Sequence, residues 1–116
     1  MFPMGDGDKI LVVRTDVFID WVKRLRDREA KVRIAKRLDR LAAGNAGDVK
    51  PVGGGVSELR IAYGPGYRLY CAWRGTTLVI LLCGGDKRKQ DADIKGAIDL
   101  WREYEERRNR GSIASR

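Results

Sequence analysis

Histidine is missing from all 116 residues, and with it the side chain most often used to move protons near neutral pH. Cysteine is scarce: Cys71 and Cys83 lack metal-ligand spacing, so no zinc or other metal site is expected. Both fall inside predicted strands and read as small reduced hydrophobes, with a disulfide between them the lesser alternative. Long apolar runs are missing too. The longest, "LVILLC" at 78–83, is far short of the roughly 20 residues that span a bilayer, so no membrane partner is expected. The N-terminus carries Asp6 and Asp8 and no basic stretch leading into an apolar one, so no secretory signal is read and a cytoplasmic location is expected.

What the chain has in excess is positive charge. Twenty-four Lys and Arg stand against 16 Asp and Glu, a formal +8 with a pI near 9.9. Many soluble domains are basic without a specific reason, yet such an excess in one small domain points to a polyanion or an acidic protein partner. With 43% hydrophobic residues the chain is globular and long enough for a single core.

Residues 1–8 hold turn formers without periodicity and read as a flexible leader; 9–106 read as one domain and 107–116 as a basic, frayed tail. "KILVVR" (9–14) predicts a strand. Thr15 or Asp16 can cap a helix whose Phe18, Trp21, Val22 and Leu25 recur at helical spacing. A second helix, about 28–43, buries Ile34, Leu38 and Leu41 and stops at "GN" (44–45), which makes an N-terminal helical hairpin. Its Lys31, Arg33, Lys36, Arg37 and Arg40 read singly as a solvated face and together as a basic surface for RNA or an acidic partner; Arg37 is expected to be dispensable for catalysis. "AGDVKPVGGG" (46–55), which contains Lys50, reads as the main loop. Three strands follow, near 56–63, 66–74 and 77–83. Then come a glycine-led basic loop, "GGDKRKQ" (84–90), and a C-terminal helix burying Ile94, Ala97, Ile98 and Trp101. The order β-α-α-β-β-β-α predicts an α+β fold with a small, mostly antiparallel sheet.

"ELRIAYGPGYRLYCAW" (58–73) carries the most chemistry. Strand residues alternate between faces. A three-residue "GPG" loop sets odd residues against odd, burying Leu59, Ile61, Leu69 and Cys71; a two-residue loop would set Arg against Ile. In this register Arg60 pairs with Tyr70 and Arg68 lies beside Ala62, and Glu58, Arg60, Arg68 and Tyr70 share the opposite, outward face. An ion-pair ladder would explain them equally well. The neighbouring loop favours more: its two glycines allow close approach of a ligand, and Lys87, Arg88 and Lys89 add charge, giving a phosphate-binding floor to which Lys50 is a further candidate contributor. Ribonucleolysis needs a base for the 2′-hydroxyl, positive charge on the phosphorane-like transition state and a proton for the leaving oxygen. Without histidine, Glu58 is the available base, Arg60 and Arg68 suit bidentate phosphate contact, Lys87 is a candidate acid, and Tyr70 a weaker candidate for either role.

Three stretches, "FIDW" (18–21), "RIAKRLDRLAAGNAGDVKPVGGGVSELRIAYGPGYRLY" (33–70) and "LLCGGDKRKQDADIKGA" (81–97), closely resemble the addiction-module killer proteins, HigB-like toxins of the RelE/ParE superfamily. The resemblance implies a RelE-like fold and a toxin restrained by a co-expressed antitoxin, commonly a helix-turn-helix protein that alone links the pair to operator DNA. It also implies cleavage of mRNA in the ribosomal A site, without metal or cofactor. Arg68 in "GYRLY" matches the arginine that stabilises the scissile phosphate, and Lys87 and Arg88 match the basic pair after the last strand. Glu58 and Arg60 fall where RelE-type enzymes carry two lysines, and "QDADI" lacks their C-terminal catalytic tyrosine. The competing readings are a ParE-like poison of DNA gyrase without RNA chemistry and a non-enzymatic binding module.

Overall fold

The computed structural model describes residues 9–114; the leader at 1–8 lies outside them. Five strands form one mixed sheet: β1 (Leu11–Arg14), β2 (Val49–Gly53), β3 (Val56–Ile61), β4 (Tyr67–Arg74) and β5 (Leu78–Asp86), in spatial order β1-β5-β4-β3-β2. Strands β2 to β5 form an antiparallel meander, and β1 lies parallel to β5 at the far edge. Helices α1 (Asp16–Arg24) and α2 (Arg28–Ala42) follow β1, and α3 (Gln90–Ala114) ends the described chain.

Local chemistry sets the helix ends. The Thr15 hydroxyl accepts from the Phe18 amide at 3.1 Å and donates to the Leu82 carbonyl at 2.8 Å, so one side chain caps α1 and ties it to β5. Asp27 caps α2 by accepting from the amides of Glu29 and Ala30. Gly44, with φ of 96°, follows the last turn of α2, the left-handed conformation that favours glycine there. The two helices cover the same sheet face, but the paired hairpin of the sequence reading is only partly realised. Each rests more on the sheet than on its neighbour, α1 on β5 and α2 on β1 and β3.

Two apolar layers result. Phe18, Ile34, Leu38 and Leu41 meet Leu59, Leu69, Cys71, Val79 and Leu81 on one face. On the other, Ala97 and Trp101 of α3 meet Val56, Tyr70, Ala72, Ile80 and Leu82. Hence β4 is buried on both faces through Ala72, and the unbroken "LVILL" of β5 fits the same double coverage. Among the described residues, no helix is long and apolar enough to cross a membrane.

Several expectations change. The stretch read as the main loop contains an edge strand, β2, whose Pro51 hid it from pattern reading; proline is tolerated at an edge, where no ladder hydrogen bond is lost. Of "GGDKRKQ", Gly84, Gly85 and Asp86 extend β5, Lys87–Lys89 form a 3₁₀ turn and Gln90 opens α3. α3 runs to Ala114, past the expected end at 106.

The two glycines of β5 make room for packing. A side chain at Gly84 would run into the Trp21 indole of α1, and one at Gly85 into the Asp93 carboxylate of α3. Gly84→Ala is expected to destabilise the protein by about 1–3 kcal/mol through displacement of the Trp21 ring, read as a lowered thermal midpoint. An unchanged midpoint would show that the ring moves freely.

Candidate active site

The site is built on one register. β3 and β4 pair Glu58 with Tyr70, Arg60 with Arg68 and Ile61 with Tyr67. This differs by two residues from the sequence expectation, which set Arg60 against Tyr70 and Arg68 beside Ala62. The connection spans 62–66 because Tyr63 leaves the ladder. Its hydroxyl donates to Asp27 at 2.8 Å, Arg33 stacks on its ring at 4.5 Å, and a tight turn closes from the Gly66 amide to the Tyr63 carbonyl. A shift of two keeps every side chain on its face, so the grouping of Glu58, Arg60, Arg68 and Tyr70 survives while the partners change.

That face is no open surface. α3 packs on it, and Glu58 and Tyr70 are 0% exposed, Arg68 9%. Arg60 alone of the four is open, its side chain 52% exposed. Glu58 is the hub. Its carboxylate accepts from Arg60 Nε at 3.1 Å, Tyr70 OH at 3.2 Å and Gln90 Nε2 at 2.9 Å, with Arg68 Nε at 3.5 Å. Burial pushes the Glu58 carboxyl up, but these donors and the Arg68 charge outweigh it and hold its pKa below the ordinary carboxylate value. Burial and the adjacent Glu58 carboxylate push the Tyr70 phenol well above its usual range.

Two guanidiniums directly opposite each other on neighbouring strands repel. Here they share one carboxylate, which leaves positive charge in excess. Arg68 Nη1 also donates to the Gly66 carbonyl at 3.1 Å, fixing its plane at the rim. The 3₁₀ turn brings Lys87 to the same corner: a Cβ placed on Gly66 would lie 3.7 Å from Arg68 Nη1 and 3.9 Å from Lys87 Cβ. Lys87, Arg88 and Lys89 are all exposed. Arg88 is held by Asp86, Nη2 to Oδ2 at 2.8 Å, whereas Lys87 makes no ion pair among the described residues. Lys50, opposite Glu58 on β2, is exposed and borders a shallow depression shared with Arg60 and Asp48.

Cys71 and Cys83 are both unpaired, and burial pushes each thiol up to about 12, which disfavours the thiolate. Sequence reasoning overlooked Asp93. Its carboxylate sits over Gly85, the β5 partner of Arg68, and burial together with Asp86 raises its pKa. The one signal for it was the glycine pair, which marked a close approach from above. Arg37 was expected on a solvated face of α2; it is buried instead.

Comparison with known proteins places this architecture. The family described as "Phage derived protein Gp49-like (DUF891)" matches residues 20–101. An uncharacterised protein of Haemophilus influenzae (strain Rd) is 49% identical over 88 residues, covering 76% of this chain and 89% of its own length. The matched span takes in the Glu58 hub, both arginines, the 3₁₀ turn and Asp93. The chain belongs to the Gp49-like family of phage-derived proteins, a toxin–antitoxin-associated family of RelE-like toxins.

Proposed function

We propose that this toxin inhibits translation by cutting mRNA on the ribosome, as a metal-independent endoribonuclease of the HigB-like kind. What supports the reading most is the arginine pair on one buried carboxylate: a preorganised cationic corner beside a lysine that makes no ion pair among the described residues. Negative charge develops on the phosphoryl oxygens as the 2′-oxygen attacks, and donors fixed in advance stabilise it without reorganising. In this reading Arg68 and Arg60 take that part, and Lys87, exposed at the same corner, gives a proton to the departing 5′-oxygen. Glu58, buried and saturated with donors, is a poor base; in this reading it positions Arg60, Arg68 and the first residue of α3. Asp93, partly exposed and with a raised pKa, is the better-placed carboxylate for proton transfer. Tyr70 braces Glu58. Arg88, Lys89 and Lys50 draw in the RNA backbone through charge. Sparse acid–base machinery suffices where the ribosome aligns the message, because positioning alone contributes much of the rate. The partners in this reading are the ribosome, mRNA and a co-expressed helix-turn-helix antitoxin, which carries any operator contact.

The test is cell-free translation with purified protein, scored by primer extension on the message. Cuts inside translated codons, present with ribosomes and missing without them, are expected. Intact messages under arrested translation would remove the nuclease reading, and DNA-damage signalling in cells without such cuts would favour a gyrase poison.

A further inference from the structure

A second cationic site adjoins the proposed catalytic corner. A groove of about 530 Å³ runs between α2 and the end of β3, lined by Arg33, Lys36, Arg37, Arg40 and Arg60 against Glu29 and Asp48. Its distinctive member is Arg37, 7% exposed. The guanidinium donates from Nη2 to the Asp48 carbonyl at 3.1 Å, and the loop closes onto it at Gly47, whose φ of 64° lets the backbone pass where a side chain would crowd the guanidinium. Among the described residues Arg37 has no carboxylate in ion-pair contact. A buried cation without a direct ion pair is costly; this one feels the Asp48 carboxylate only at longer range, is opposed by Arg40, and is held by backbone beside Arg40 and Lys36. Such an arrangement suits an anion.

We propose that this groove is a phosphate-binding track for the RNA strand whose scissile bond lies at Arg68, holding backbone phosphates a few nucleotides away. The inference rests on the RNA reading above. Arg60 carries the continuity: it lines the groove and also binds Glu58, so it belongs to both sites. A polynucleotide repeats one negative charge per residue and so matches a row of cations. An acidic protein segment would need apolar anchors as well, and apart from Gly47 only Ile61 and Ala62 supply apolar surface here.

The experiment uses the full chain carrying Arg68→Ala, so that the probe stays intact, and a fluorescein-labelled single-stranded RNA 12-mer read by anisotropy across a salt series. Adding Lys36→Ala and Arg40→Ala, both exposed positions, is expected to weaken binding at low salt tenfold or more. It should also lower the slope of log K against log salt by about 1.4, since each lost contact with a single strand removes about 0.7. The pair Arg107→Ala and Arg108→Ala on α3 should leave the slope unchanged. An unaltered slope after the α2 substitutions, or an equal fall from the α3 pair, overturns the track. So does an oligoglutamate of matched charge that outcompetes the RNA, which would assign the groove to an acidic protein segment. Salt-dependent RNA binding lost with Lys36 and Arg40, in a protein that cuts no message on ribosomes, would support the track while removing only the nuclease reading.

Discussion

Arg68→Ala is expected to abolish growth arrest on induction and to lower the rate of message cleavage on ribosomes by about 10²–10³-fold, the effect of deleting one preorganised donor to a developing oxyanion. The fold should persist. Without Arg68, Glu58 keeps Arg60, Tyr70 and Gln90 as donors, so no bare charge is left in the interior. Co-purification with the antitoxin and a cooperative melt are therefore expected to continue. Arg68→Lys should rescue little, because an ammonium cannot reproduce a planar fork braced at one end by the Gly66 carbonyl and facing Glu58 at the other. Sustained growth arrest by the alanine variant in a folded, soluble form would place the chemistry elsewhere.

The second large effect falls on stability. Glu58→Gln leaves Arg60 and Arg68 facing each other with no counter-charge, one of them 9% exposed. Removing one partner of such a buried arrangement costs about 3–5 kcal/mol, a drop in thermal midpoint on the order of 10 °C or more for a domain of this size. Adding Arg68→Met, which removes the stranded cation, should recover part of the loss. A double variant no more stable than Glu58→Gln alone would show that the two side chains are not coupled. The pH dependence follows from the same hub. The folded pKa of Glu58 lies below its ordinary value of 4.5, so its stabilisation is complete above about pH 4.5 and is lost as pH falls through the depressed folded value. Glu58→Gln should lose that part of the acid limb. Equal acid sensitivity in parent and variant would assign the limb to Asp27 and Asp86, whose pKa values are also lowered.

Strand parity in 58–73, the helical spacing of Phe18, Ile34, Leu38 and Leu41, and the unbroken apolar run of β5 were all readable along the chain, because each depends on residues close in sequence. Parity separated Leu59 and Leu69 from Arg60 and Arg68 before any partner was known. What parity could not supply was the pairing. The turn length depended on Tyr63 reaching Asp27, 36 residues away. Nor did it indicate that α3 would cover the charged face, turning an expected open surface into a buried polar hub with one exposed rim. β2 was missed because its partner, and not its own pattern, makes it a strand.

The linear order of residues thus determined which side chains share a face, where α2 starts and stops, and that the protein is cationic without histidine. Only the tertiary structure decided that Glu58 holds two arginines together, that Asp93 meets Gly85, and that Arg37 is enclosed beneath a groove. The physical reason is one of range. Alternation and helical period follow from backbone geometry over a few residues. Burial and charge sharing depend on which distant segment comes to lie on top.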